Sequence, residues 1–466
     1  MARLTFLGAT EGVTGSLYLL ETDRSRILLE CGLVQGSREE EEANARPFPF
    51  DPASIDAVIL SHAHLDHSGR LPRLVNEGFN GSIHMTLPTC ELLDIMLKDA
   101  AFLNMRDVEW VNKRRRRSGK DEVKPLYTVA DVEATLRLCE TTGYETPVNV
   151  SEDVQVTFQD AGHILGSSIV EIAVSEGGKK KKMVFSGDLG NSYMALLRDP
   201  AIIEKADILL MESTYGDRNH RPYEDTLDEF RDVIVQASKD GGNVLIPAFA
   251  VGRTQEIIFR LGELYQDKIL DQQAVYLDSP MAIAATEVYH RYQNVFNRVD
   301  RKLLGESRAA SLRHYLPVLR YSRSTEDSMA LNNISDGAII IAGSGMCDGG
   351  RIRHHLKHNL WRRNAHIMIV GYQAIGTPGR ALVDGAKTLR LMGEEIAVKA
   401  SIHTLGGFSA HAGQQQLIDW VMRFHKPRPK TYLVHGEPQA KTALQRKLAD
   451  LRLESHIAGP GQAVNF

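Results

Sequence analysis

The sequence predicts an α/β protein in which one domain is interrupted by the insertion of another. Three observations carry that expectation. Residues 1 to about 205 alternate short strand-like runs with turns, and several of those runs end in His or Asp beside Gly. From about Tyr215 strand and helix succeed one another, with continuous apolar runs that suit a parallel sheet covered on both faces. A strand ending in V-H-G-E at 434–437 then repeats the pattern of the first region. The expected boundaries are 1–214, 215–395 and 396–466, with the first and last segments completing a single domain.

Each element follows from local pattern. R-L-T-F after the amino terminus, I-L-L before Glu30 and A-V-I-L at 57–60 read as short strands. Leu87 to Val111 reads as a helix, and Val154 to Phe158 alternates as a half-buried strand. I-V-E-I-A-V and M-V-F-S flank Gly177-Gly178, so the lysines Lys179 to Lys182 are expected at a hairpin tip. Leu227, Phe230, Val233, Ile234 and Ala237 recur at helical spacing until Gly241-Gly242 ends the run. N-V-L-I-P at 243–247 is then a buried strand, and Ile257, Ile258, Leu261 and Leu264 mark the next helix. Apolar runs at 274–277, 338–341 and 366–370 supply further strands of a parallel sheet.

Composition sets bounds without naming a chemistry. A chain of 466 residues that is 43% hydrophobic can bury a large core, and its length suggests two or three domains. Its formal charge of -4 gives no overall basic signature. Recognition of nucleic acid would therefore need local patches, and two runs qualify: Lys113 to Arg117 in the helical region after Trp110, and Lys179 to Lys182. The lysine run is better explained as a solvated loop, whereas the arginine run could reach a phosphate backbone at the rim of a cleft. Cys31, Cys90, Cys139 and Cys347 are scattered with no C-x-x-C, which reads as reduced thiols in a cytoplasmic protein. No apolar run approaches the ~18 residues of a membrane span, and no secretory signal is evident.

The chemistry concentrates between Ser61 and Gly69, S-H-A-H-L-D-H-S-G, directly behind the strand at 57–60. A strand that ends there and turns can bring His62, His64, Asp66 and His67 together as nitrogen and oxygen donors. Imidazole and carboxylate suit borderline divalent ions such as zinc, and the lack of cysteine argues against a closed structural zinc site. Solvated loop histidines are the bland alternative, disfavoured by the spacing. Three further strand-end residues next to glycine, His163, Asp188 and His435, are candidates to complete the site.

The motif H-A-H-L-D-H-S-G, with G-H at 162–163, G-D at 187–188 and V-H-G-E at 434–437, resembles the metallo-β-lactamase superfamily. The inserted middle, with E-S-T-Y-G and G-G-F-S-A-H-A-G, narrows the likeness to its β-CASP branch, which includes RNase J and archaeal relatives of the cleavage and polyadenylation endonuclease. The resemblance implies an αββα sandwich with an inserted β-CASP domain, a parallel sheet flanked by helices. It implies that His62, His64 and His163 hold one Zn2+, that Asp66, His67 and His435 hold a second, and that Asp188 bridges them, with Mn2+ an alternative metal. A bridging hydroxide would be the nucleophile on a phosphodiester. Glu212 and His411 match further motifs, with His411 expected to protonate the leaving oxygen and Glu212 to orient it. Asp66 is counted with them as catalytic. A capping carboxylate and a helix-start residue are the bland alternatives for Glu212 and His411.

Ser344, Gly345 and Met346 follow an apolar strand and are expected, by the same likeness, to touch substrate, as are Ser409 and Arg380. Without it a G-S-G turn is commonplace, and Arg380 reads equally well as a surface arginine. Glu30 stands where the family usually has an aspartate that hydrogen-bonds to the metal loop, so a longer side chain must shift itself or its neighbour. His435 resembles the RNA-processing members, whose DNA-repair relatives carry an apolar residue there. The expected activity is thus a zinc-dependent ribonuclease acting on single-stranded RNA, with the insert as a lid that restricts access. With no RNA-binding appendage read at either end, affinity is expected from the two domains themselves or from a partner. A small-molecule metallo-hydrolase and a non-catalytic RNA-binding scaffold are the alternatives. Internal cleavage, 5′-exonuclease action and a homodimer are left open.

Overall fold

The computed structural model describes residues 2–36, 38–305, 311–374 and 376–466. Its contacts divide into two compact units: Met1–Ser192, Asp199–Asn219 and His411–Phe466 form the first, and Tyr193–Arg198 with His220–Ala410 form the second. The second unit runs past residue 395 because Ser401–Thr404 is the edge strand of its sheet, parallel to His366–Ile369.

The first unit is built on two seven-stranded sheets. One runs, in spatial order, Ala463–Asn465, Arg3–Phe6, Tyr18–Glu21, Arg26–Leu29, Ala57–Ile59, Ser82–Thr86 and Cys139–Thr142. The other runs Ser455–Ile457, Lys430–Leu433, Ile208–Met211, Lys179–Phe185, Ser168–Glu176, Val154–Asp160 and Val148–Asn149. Strand period explains how they meet. Leu4, Phe6, Tyr18, Leu20, Ile27, Leu29, Ala57 and Ile59 project from one sheet. Val156, Phe158, Val170, Ile172, Met183, Phe185, Ile208 and Leu210 project from the other, and the two sets share one dry core. The intervening residues Ile169, Val184, Leu209, Met211 and Leu433 face the other way, against Leu417 and Val421 of helix Gln414–Val421 and Leu444 and Leu448 of helix Pro438–Asp450. Helices thus cover the outer face of that sheet, and strands Lys430–Leu433 and Ser455–Ile457 from beyond the insert complete it.

The second unit holds a six-stranded sheet in the order Leu319–Tyr321, Ala274–Leu277, Ala338–Ala342, Val244–Pro247, His366–Ile369 and Ser401–Thr404, with every pairing parallel. Its central strands A-I-I-I-A and V-L-I-P are buried along their whole length. That is why they lack alternation in the sequence: helices lie on both faces of a parallel sheet.

One local expectation is extended and one corrected. The helical stretch read over Leu87 to Val111 and the helical region of Lys113 to Arg117 form a single helix, Leu87–Arg117, begun by Thr86 with Pro88 in the first turn and stopped at Ser118-Gly119, where Gly119 has φ 65°. Its last turns are charged and exposed, so hydrophobic periodicity fades before the helix does. The tip of the lysine hairpin is Gly177-Gly178, both at positive φ, and Lys179 to Lys182 are paired strand residues opposite Glu176 to Ala173. Lys182 is ion-paired to Glu171 and Lys181 lies 3.7 Å from Asp207, so part of that charge is internally balanced. Among the described residues no helix is long and apolar enough to cross a membrane.

Candidate metal centre

Strand Ala57–Ile59 delivers the first cluster. After it the chain turns through His62 and His64 into the short helix Leu65–Ser68, which carries Asp66 and His67. The turn is held by its neighbours' backbone: Cys31 N donates to His67 O (2.7 Å) and Ser16 N to Asp66 O (2.9 Å). Gly32 must be glycine for this approach, since a Cβ there would sit 1.7 Å from Asp66 O. His163 arrives on the loop after strand Val154–Asp160, Asp188 after Lys179–Phe185, and His435 after Lys430–Leu433. Gly187, at φ 53°, sets the turn that aims Asp188, and a Cβ there would lie 2.8 Å from Ser168 O.

These residues converge in two groups that share one carboxylate. His62 Nε2 lies 3.1 Å from His64 Nδ1, and His163 Nε2 lies 3.2 Å from the same atom. Asp188 Oδ2 is 3.5 Å from His62 Nε2 and 3.6 Å from His163 Nε2. In the second group His67 Nε2 is 3.2 Å from His435 Nε2, which is 3.4 Å from Asp66 Oδ2. Asp188 Oδ1 is 3.3 Å from His67 Nε2, so the two oxygens of one side chain serve the two groups.

The donor set fits metal ions. Three imidazole nitrogens crowd around one point, His62 Nε2 and His163 Nε2 at 3.1 and 3.2 Å from His64 Nδ1, a convergent donor set of the kind a divalent cation takes. Asp188 Oδ1 is buried and accepts no hydrogen bond, although His67 lies near it. A buried orphan carboxylate oxygen is costly unless something positive meets it. Electrostatics agree: burial raises the Asp66 pKa, but His67 and His435 outweigh it and bring it down to about 2. Asp188 is likewise held well below the ordinary carboxylate range by His435 and His67 against the cost of its burial.

The ligand rings are fixed from behind. Ser61 Oγ meets His62 Nδ1 at 2.9 Å, and Thr214 Oγ1 meets His435 Nδ1 at 3.1 Å. Glu30, fully buried, accepts from Ser61 N at 2.7 Å through Oε1 and meets His67 Nδ1 at 3.1 Å through Oε2. It does so from a backbone at φ 64°. Ser61 and Thr214 were not singled out in the sequence. Both lie inside the quoted motifs, Ser61 at the head of S-H-A-H-L-D-H-S-G and Thr214 within E-S-T-Y-G, and that placement was the signal that could have found them.

Beside this centre, His411 Nδ1 is 3.3 Å from Glu212 Oε1 and 3.9 Å from Asp188 Oδ2. Glu212 is anchored by the amides of Leu189 (2.6 Å) and Thr214 (3.2 Å). Burial opposes charging of His411, but Glu212 and then Asp188 outweigh it and push its pKa up to about 9. The remaining candidates belong to the second unit. There Gly379 N donates to Met346 O (3.1 Å) and Gln373 Nε2 to Gly345 O (2.9 Å), so the segments around Ser344–Met346 and Arg380 are neighbours. Ser344 is hydrogen-bonded to Asp348, and Arg380 pairs with Asp384 at 3.0 Å on its own helix. Ser409 follows Phe408 at the end of that unit.

Three family models match the chain: the metallo-beta-lactamase superfamily over residues 10–247, the Beta-Casp domain over 254–382, and a Zn-dependent metallo-hydrolase RNA specificity domain over 395–458. The chain is 40% identical to Ribonuclease TTHA0252 of Thermus thermophilus, over 99% of both proteins. It is 32% identical to Transcription termination factor FttA of Pyrococcus abyssi, over 96% of this chain and 69% of that one. Among solved structures, a protein of unknown function from Enterococcus faecalis shares the fold with a TM-score of 0.55 over 99% of both chains at 13% identity.

Proposed function

We propose, from the premise that the chain belongs to the metallo-β-lactamase superfamily and to its Beta-Casp branch, that it is a zinc-dependent ribonuclease cutting phosphodiester bonds of single-stranded RNA in cytoplasmic RNA processing or decay. The observation that carries the reading is the shared carboxylate: Asp188 offers one oxygen to His62 and His163 and the other to His67, with His411 alongside.

One ion would be held by His62, His64, His163 and Asp188, and the other by Asp66, His67, His435 and Asp188. Bound there, such a pair supplies Lewis-acid stabilisation of phosphoryl oxygens and water of lowered pKa at neutral pH. The protein's own part is positioning and proton transfer. Glu212 fixes His411 through Nδ1, and His411 gives its proton to the leaving oxygen. His435 favours RNA over DNA by its likeness to the RNA-processing members, and the RNA specificity model over residues 395–458 supports the same substrate. The preference for single strands is proposed from likeness to the Beta-Casp branch, together with the whole domain inserted between Glu212 and His411, which would restrict access. Ser344–Met346, Arg380 and Ser409 are its proposed substrate contacts.

The test is direct. End-labelled single-stranded RNA, DNA of the same sequence, a chromogenic β-lactam and a thioester are offered to zinc- or manganese-loaded protein and to His411→Ala. RNA alone should be cut, and the variant should be slower by roughly 10²–10⁴-fold, the usual worth of a positioned acid. Hydrolysis of the small substrates with RNA intact would make the chain a small-molecule hydrolase. RNA binding without cleavage would make it a scaffold.

A further inference from the structure

Helix Leu87–Arg117, in the first unit, carries a row that the metal centre does not use. Phe102 and Trp110 are 59% and 55% exposed, and Arg106 and Arg114 are exposed between and after them. Positions 102, 106, 110 and 114 are each four apart, so they form a continuous row that advances ~6 Å and slants by ~40° around the helix at each step. Arg117 continues the row one turn on. The Arg114 guanidinium lies over the Trp110 ring, 3.5 Å from its centroid, making a two-layer flat platform.

The charge here is local and one-sided. Lys113 to Arg117 end the helix in a chain whose formal charge is -4. Lys113 and Arg116 are ion-paired to Glu109 (2.9 Å) and Glu122 (3.1 Å), and Arg115 donates to the Asp121 carbonyl. Among the described residues neither Arg106 nor Arg114 is in an ion pair, although Asp99 lies near enough to feel Arg106. Asp107 and Glu109 sit off the row, about a quarter-turn to either side.

We propose that this face is a binding track for single-stranded RNA, with bases stacked on Trp110 and Phe102 and phosphates met by Arg106, Arg114 and Arg117. Alternating flat aromatic faces with arginines is the chemistry of a sequence-tolerant single-strand site. Duplex nucleic acid keeps its bases stacked and offers nothing to the aromatic rungs. Trp110 lies ~30 Å along the helix from Thr89, whose hydroxyl donates to Gly166 O (2.8 Å) on the loop of His163. The track would therefore grip RNA well away from the cut. The identity of the polymer rests on the ribonuclease reading; the stacking geometry does not.

Fluorescence anisotropy with labelled RNA, on intact metal-loaded protein, tests it. Trp110→Ala combined with Arg114→Ala should weaken binding of an RNA of about 30 nucleotides by roughly tenfold or more. The slope of log K against log salt should become shallower by roughly 0.7, because one phosphate is no longer neutralised. Trp110→Phe should keep most of the affinity, because a flat ring remains. Both sites are exposed, and an unchanged melting temperature and metal content would establish that the fold is intact. Wild-type affinity and slope in the double variant would overturn the proposal. So would loss of a dimer, read by sedimentation, with RNA binding unchanged. If the wild type cuts RNA but the variant binds it normally, the track fails and the ribonuclease stands. If the wild type binds RNA in this manner without cutting it, the track stands and the ribonuclease fails.

Discussion

Replacing Glu30 by glutamine isolates what one buried carboxylate does for the metal loop. The amide keeps the shape but not the acceptor pair: Glu30 now takes a hydrogen from Ser61 N at 2.7 Å and meets His67 Nδ1 at 3.1 Å. If the glutamine oxygen stays on Ser61, its NH2 faces His67 Nδ1 and forces the ring proton onto Nε2. Nε2 is the atom that points at His435 and Asp188, 3.2 and 3.3 Å away, and once protonated it cannot serve a metal. If the amide flips, Ser61 N loses its buried acceptor at a cost of about 1–3 kcal/mol. Either outcome falls in the range expected for losing the partner of a metal-bound histidine, about 10- to 100-fold in affinity, or roughly 1.4–2.7 kcal/mol. The assay is chelator competition, with bound metal counted by mass spectrometry. The loss should fall on the Asp66–His67–His435 group. Glu30→Asp keeps the charge and suits the φ of 64° better than glutamate does, so its affinity should stay within a few-fold. Wild-type metal affinity in Glu30→Gln would refute the reasoning.

Other perturbations follow from the same geometry. Asp188→Ala removes an oxygen from both groups, so bound metal should fall in both, whereas His64→Ala should spare the His67–His435 group; metal counting on the two variants decides. Gly187→Ala forces a side chain into φ 53° and against Ser168 O, and should cost about 1–3 kcal/mol in denaturant unfolding. In the second unit, buried Asp278 joins His355 Nε2 (2.6 Å), Arg351 (2.6 Å), Ser322 (2.7 Å) and Ser328 (2.6 Å). Asp278→Ala leaves the Arg351 guanidinium, His355 Nε2 and two serine hydroxyls without their buried acceptor and should destabilise the protein by about 3–5 kcal/mol in thermal or denaturant unfolding. Burial raises the Asp278 pKa, but hydrogen bonds led by that from His355 hold it at about 2, below its ordinary 3.8. A depressed carboxyl contributes fully above its ordinary value. That stability should therefore be lost as pH falls from 3.8 to about 2, and acid titration of Asp278→Asn should lack this part of the loss.

How much the sequence revealed depended on distance along the chain. His62, His64, Asp66 and His67 were legible because one strand end and one helical turn hold all four. His163, Asp188 and His435 were visible as strand-end residues beside glycine and so as candidates to complete the site, but only family likeness assigned each to one group, since sheet pairing across hundreds of residues leaves no spacing signal. The parallel sheet of the second unit was legible for the opposite reason, its strands being apolar throughout. The network of Asp278, His355, Arg351 and the two serines went unread. Asp278 and His355 are 77 positions apart and meet only because neighbouring parallel strands deliver them to one end of the sheet. The apolar pattern of the helix Leu87–Arg117 fades near Val111, because its final turns are charged and held by capping and ion pairs; the run Lys113 to Arg117 was nonetheless read as helical.

In the proposed ribonuclease, Asp188 joins two groups of donors into one centre that cuts RNA. Titrating metal-free protein with zinc, while counting bound ions and following cleavage of single-stranded RNA, tests it most directly. Cleavage should remain near zero without metal and rise to a plateau as both groups fill, at two ions per chain. Full cleavage by the metal-free protein, or a plateau at one ion with His67 and His435 dispensable, would contradict it.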